Sequence, residues 1–146
     1  MRKIVLVGCE ATKRTDYFLK AAGELQLPVS FENIFQCVPE DFEESVIKID
    51  PFVYQEAQID RMEALLGQYT GLLNRFATNK KLQFLNHPDA ILEVLHKVKC
   101  KEKLMAKGVP VTKMLGTQIN CLEELKQLMV AQKEPAVFIK PVQGSG

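Results

Sequence analysis

Two histidines and four cysteines without a single C-x-x-C pair leave little from which to build a zinc site. Net charge is nearly absent as well: nineteen basic residues stand against eighteen acidic ones, so the chain has no general attraction for nucleic acid or for an anionic membrane. It has neither a signal peptide pattern nor an apolar run of bilayer-spanning length, and the expected compartment is the reducing cytoplasm. Cys9, Cys37, Cys100 and Cys121 are expected there as small core residues, not as nucleophiles. Two nucleotide motifs are also missing. No G-x-x-x-x-G-K-[ST] occurs, and Gly8-Cys9-Glu10-Ala11-Thr12-Lys13 lacks the G-x-G-x-x-G of dinucleotide-binding folds.

What is present describes a folded α/β protein. A hydrophobic share of 47% with 25% charged residues is that of a globular chain, and 146 residues suffice for one substantial core or two small lobes. The charge is unevenly spread. Residues 1–95 carry ten basic and fourteen acidic side chains, whereas residues 96–146 carry nine and four. The run Ile4-Val5-Leu6-Val7-Gly8 is continuously apolar, as strands buried on both faces of a parallel sheet are. A helix capped by Thr15 or Asp16 and carrying Phe18, Leu19, Ala22 and Leu25 should follow, then a strand near Val29 to Phe31 and a third from Ser45 to Asp50. Strand, helix and strand in this order open a doubly wound layer. From Glu56 to Asn79 the apolar positions Ile59, Met62, Leu65, Leu66, Tyr69, Leu72, Leu73 and Phe76 recur at helical spacing, and a short strand at residues 82–85 comes next.

Ligands of open α/β sheets bind at the carboxyl ends of the strands, so polar residues at strand exits are the candidates for substrate binding. Thr12 and Lys13 after the first strand, with Arg14 beside them, Asp50 after the third and His87 after the fourth occupy such places. Each also has a structural explanation: a solvated loop, a turn at Asp50-Pro51, and an N-terminal cap before Pro88. Asn86 fits the structural account best.

The basic half holds the sharper signal. The run Pro135–Ile139 reads as a buried strand leading into Lys140-Pro141 and the glycine-punctuated Gly144-Ser145-Gly146, a loop suited to presenting backbone N–H groups to phosphate. Earlier, Lys97, Lys99, Lys101, Lys103 and Lys107 fall on a helix that Gly108 and Pro110 end. Lys99, Lys103 and Lys107 share one row; Lys97 and Lys101 share another, on the side that also carries Val98, Leu104 and Met105. A strand near Val111 to Leu115 and a helix near Leu122 to Ala131 lie between the two basic elements.

A lysine opening a helix that ends in Gly-x-Pro, followed by a strand-borne lysine, proline and a small glycine loop, resembles the ATP-grasp superfamily, whose members join a carboxylate to an amine or thiol at the expense of ATP. His96 stands where that family commonly has aspartate. The resemblance implies a Rossmann-like parallel layer at residues 1–95 and the start of an ATP-grasp small lobe at 96–146. It further implies that Lys97, Lys140, Gly144, Ser145 and Gly146 contact the phosphates of ATP. On this reading the residues form the amino-terminal portion of a longer ligase working through an acyl phosphate. They would be inactive alone, with the magnesium ligands beyond Gly146 and a small-molecule carboxylate as substrate. No metal ligand and no catalytic residue is nominated within the chain, and self-association into a homo-oligomer is left open. The competing expectation is a non-catalytic α/β module that binds a nucleotide or another metabolite.

Overall fold

The apolar run at the amino terminus becomes the inner strand of a four-stranded sheet. In the computed structural model, which describes residues 2–140 and 142 (Glu56 in its backbone alone), β1 (Ile4–Gly8) lies between β2 (Val29–Asn33) and β3 (Val46–Ile49). The short β4 (Gln83–Phe84) pairs with β3. The order is β2-β1-β3-β4 and every neighbouring pair is parallel, with Ile4 opposite both Val29 and Val46. An inner parallel strand has no solvent face, and Val5, Leu6 and Val7 are all buried accordingly.

Between β1 and β2 runs α1 (Lys13–Glu24), which begins earlier than the sequence suggests. Its cap is Thr12, not Thr15 or Asp16. The Thr15 N–H donates to Thr12 Oγ1 at 3.3 Å and the Thr12 N–H donates to Thr15 Oγ1 at 3.0 Å, a reciprocal pair that satisfies two otherwise orphaned donors. The long helix, by contrast, is shorter than its apolar period. A 3-10 turn at Glu56–Arg61 precedes α2 (Met62–Thr78), and Ile59 is left exposed. Gln55 and Gln58 account for the difference: the Gln55 N–H donates to Gln58 Oε1 at 2.9 Å, capping the tighter turn. From α2, Leu66, Tyr69, Leu73 and Phe76 are buried. Each such side chain contributes roughly 1.5–3 kcal/mol by its removal from water. Phe76 stacks on Phe42 at 6.3 Å and meets the edge of Phe84 at 6.4 Å, while Tyr69 Oη donates to the Asp50 carbonyl at 2.8 Å.

The chain divides into two compact units, the second starting at Glu93. It contains the end of α3 (Pro88–Leu95), then α4 (Lys97–Ala106) and α5 (Leu122–Gln132). Gly108, at φ 72°, closes α4, with its N–H on the Met105 carbonyl at 2.9 Å. Two expectations fail here. Neither Val111–Leu115 nor Pro135–Lys140 is a strand, and instead of being buried Phe138 is 98% exposed and Ile139 73% exposed. A β-prone run becomes a strand only when a neighbour takes its hydrogen bonds, and no described strand lies beside either segment. The α4 helix also buries none of its residues, so Lys97 and Lys101 do not sit over a core face. Among the described residues, no helix is long and apolar enough to cross a membrane.

Candidate functional site

In the first unit the chemistry gathers at the carboxyl end of the sheet. The chain goes from β1 to β2 on one side and reaches β3 on the other, so the loops leaving β1 and β3 diverge and open a crevice. Gly8 permits the tight floor: a methyl group there would stand 3.2 Å from Asp50 Cβ and 3.2 Å from Phe31 Cε2. Asn33 then ties the loops together, its amide Nδ2 donating to the Cys9 carbonyl at 2.8 Å and its Oδ1 accepting from the Phe35 N–H at 2.9 Å. The resulting hollow has a volume of about 250 Å³ and is lined by Cys9, Glu10, Asn33, Phe35, Phe52, Val53, Gln58 and Leu65.

Glu10 is the carboxylate of this lining, and no lysine or arginine belongs to it. Cys9 is buried, which pushes its thiol up from its ordinary value; a backbone hydrogen bond from Val53 opposes the shift, and the Glu10 and Asp50 carboxylates add to it. It is therefore a neutral wall of the crevice, not a thiolate nucleophile. Cys37 behaves alike, raised by burial to about 11.

The strand-exit residues nominated from sequence do not line this crevice. Thr12 is engaged in capping α1, and Lys13, the first residue of that helix, is exposed and makes no hydrogen bond or ion pair among the described residues. Asp50 is 3% exposed in its side chain and held by two cations, with Lys48 Nζ at 3.0 Å from Oδ1 and Arg14 Nη2 at 3.4 Å from Oδ2. His87 precedes α3. Its Nδ1 accepts from the Asp89 N–H at 3.3 Å, and its ring meets the edge of Phe84 at 5.3 Å. Asn86 continues the sheet with its side chain, Oδ1 accepting from the Ile49 N–H at 2.8 Å and Nδ2 donating to the Ile49 carbonyl at 2.6 Å. Cys9, Glu10, Asn33, Phe35 and Gln58 were not singled out from sequence. The available signal was position: Cys9 and Glu10 directly follow β1, and Asn33 ends β2.

The basic elements belong to the second unit. His96 caps α4, its Nδ1 accepting from the Lys99 N–H at 3.3 Å, so the ring does the capping work that a carboxylate does at other helix starts. The backbone N–H of Lys97 donates to the Val142 carbonyl at 2.9 Å. Lys140 lies two residues before Val142, at most about 7 Å along the chain. The start of α4 and the Lys140 segment are thus neighbours, although 43 positions separate the two lysines in sequence. Lys101 is bound elsewhere, with Nζ 2.6 Å from Thr112 Oγ1 and 3.1 Å from the Thr112 carbonyl, and Lys103 pairs with Glu93. The Lys140 side chain is exposed. Gly144, Ser145 and Gly146 lie outside the described residues. A scan against protein-family models, a search of curated proteins and a search of solved structures each find no match. The functional reading therefore rests on sequence and geometry alone. Among the described residues, no group of three or more His, Cys, Asp or Glu side chains can hold a metal ion, so no step is assigned to magnesium.

Proposed function

We propose that this chain serves an ATP-dependent ligase that joins a carboxylate to an amine or thiol, with the parallel sheet as its leading layer and the second unit as its grip on nucleotide phosphates. The carrying observation is the Lys97 N–H to Val142 carbonyl hydrogen bond, which makes neighbours of two segments that each bear a phosphate-seeking lysine. ATP, when bound, supplies the phosphoryl group that activates the carboxylate as an acyl phosphate. Lys97 and Lys140 hold and neutralise its phosphates. In phosphoryl transfer the protein's share is mostly positioning and charge stabilisation, which two ammonium groups on one unit are suited to give.

The test is binding of ATP to the chain, followed by calorimetry or by a fluorescent nucleotide. Replacing either lysine by alanine is expected to weaken binding about tenfold, the usual scale for a charge-assisted hydrogen bond. The double variant Lys97→Glu with Lys140→Glu is expected to abolish it. Unchanged ATP affinity in the double variant sinks the ligase reading and leaves the non-catalytic module, which the crevice of the first unit favours.

A further inference from the structure

We infer that the strand-end crevice of the first unit binds a small primary amine with an apolar or aromatic body. This stands on the lining of the crevice and not on the ligase reading; where that reading also holds, it points to an amine as the acceptor.

The polar groups of the crevice fall into two sets. Asn33 serves as a frame, with both its amide nitrogen and its oxygen tied to backbone, Nδ2 on the Cys9 carbonyl and Oδ1 under the Phe35 N–H. Glu10 and Gln58 are only half engaged. Glu10 Oε2 accepts from Gln55 Nε2 at 2.8 Å, while Oε1 has no partner among the described residues. Gln58 Oε1 accepts from the Gln55 N–H, while its Nε2 has none. One carboxylate oxygen and one amide N–H₂ are thus available beside the rings of Phe35 and Phe52.

Charge then selects the ligand. An anion entering here would meet the Glu10 carboxylate and no basic side chain, and the Gln58 amide alone would offset its lost hydration poorly. A neutral apolar molecule would desolvate Glu10 and give it nothing in return. An ammonium group can donate to Glu10 Oε1 while its body lies against the aromatic rings, whose faces also attract cations. The volume of about 250 Å³ sets the size, at or below the lower end of pockets for drug-sized ligands.

The test uses three probes of similar shape and different charge: phenethylamine, phenethyl alcohol and 3-phenylpropionate. Each is titrated into the ¹⁵N-labelled chain and followed by amide chemical shifts, with no nucleotide present. Phenethylamine is expected to shift the amides of Cys9, Glu10, Asn33 and Phe35, and to bind at least about tenfold more tightly than the alcohol. Little binding is expected of 3-phenylpropionate. Glu10→Gln should reduce phenethylamine affinity to that of the alcohol, and Phe35→Ala should weaken amine and alcohol together. Equal or tighter binding of 3-phenylpropionate, amine-induced shifts confined to other amides, no saturable shift with the amine, or an affinity that Glu10→Gln leaves unchanged would each overturn the inference. Because no step involves ATP, loss of the ligase reading leaves these outcomes as they are.

Discussion

Replacing Asp50 by asparagine separates a structural carboxylate from a substrate-binding one. The side chain is 3% exposed and its two oxygens face different cations, Lys48 Nζ at 3.0 Å and the Arg14 guanidinium at 3.4 Å. At an effective dielectric constant of about 20, the Lys48 contact amounts to about 5 kcal/mol before the cost of desolvating either charge. Removing one partner of a buried pair usually costs about 3–5 kcal/mol. Here the loss should be smaller. The Lys48 and Arg14 side chains are 28% and 56% exposed, so both cations can turn to water once the carboxylate is gone. Arg14, the more exposed partner, should contribute less than about 1 kcal/mol. Asp50→Asn is therefore expected to destabilise the first unit by about 2–3 kcal/mol. With a urea dependence of about 2 kcal/mol per molar, that is a midpoint shift of about 1–1.5 M, measurable by circular dichroism. A double-mutant cycle with Lys48→Met should return a coupling energy above about 1 kcal/mol. A midpoint within about 0.25 M of the parent, or a coupling energy near zero, would refute the reasoning, because the carboxylate would then be held by something other than these two cations.

Gly8→Ala should cost about 1–3 kcal/mol, since the new methyl group meets Asp50 Cβ, which is fixed to the backbone, at 3.2 Å; a thermal melt unchanged from the parent would show that the floor of the crevice can yield. Stability should fall as pH rises from about 9 towards about 11. Burial holds the folded Cys37 thiol at about 11 against an ordinary 9.0 and raises the Tyr69 phenol above its ordinary 10.0, so the unfolded chain releases these protons first. These contributions are intact below pH 9 and decline above it, and urea midpoints measured at pH 8 and pH 10.5 should differ in that direction, less so in Cys37→Ala.

The parallel layer was legible because its residues satisfy one constraint at a time. An unbroken apolar run such as Ile4–Gly8 suits no place better than an inner parallel strand, and the α2 stripe from Leu66 to Phe76 can face only a core. Helix starts were less legible because capping is a competition among neighbours. Thr12, Thr15 and Asp16 are all good caps, and the reciprocal threonine pair wins by satisfying two N–H groups. The strands expected at 111–115 and 135–140 were read from composition, but a strand is a property of a pair, and the second unit presents no described strand to either. Of the residues proposed for binding, only the cations stood out in the sequence. Lys97 and Lys140 announce themselves by charge beside helix and loop punctuation. The crevice is assembled from residues of ordinary type, brought together where the segments leaving β1, β2 and β3 meet the start of the long helix.

Polar residues at the exits of a parallel sheet have two possible duties, and their hydrogen-bonding capacity tells them apart. Where strands end, backbone N–H and C=O groups lose their ladder partners and must be satisfied by something. Asn86 meets the N–H and carbonyl of Ile49, Asn33 meets the Cys9 carbonyl and the Phe35 N–H, and His87 accepts from the Asp89 N–H. Asp50 is saturated by cations instead. A strand-exit side chain used in this way has less left for a ligand, however suggestive its chemistry looks in the sequence. Glu10 differs, because one of its oxygens remains available after Gln55 has taken the other. The same accounting explains why Lys101 is a poor candidate for phosphate: Thr112 already accepts from it twice, whereas the exposed Lys140 amine makes no hydrogen bond or ion pair among the described residues. Residual capacity, not residue type alone, is what makes Glu10 a candidate where Asp50 is not.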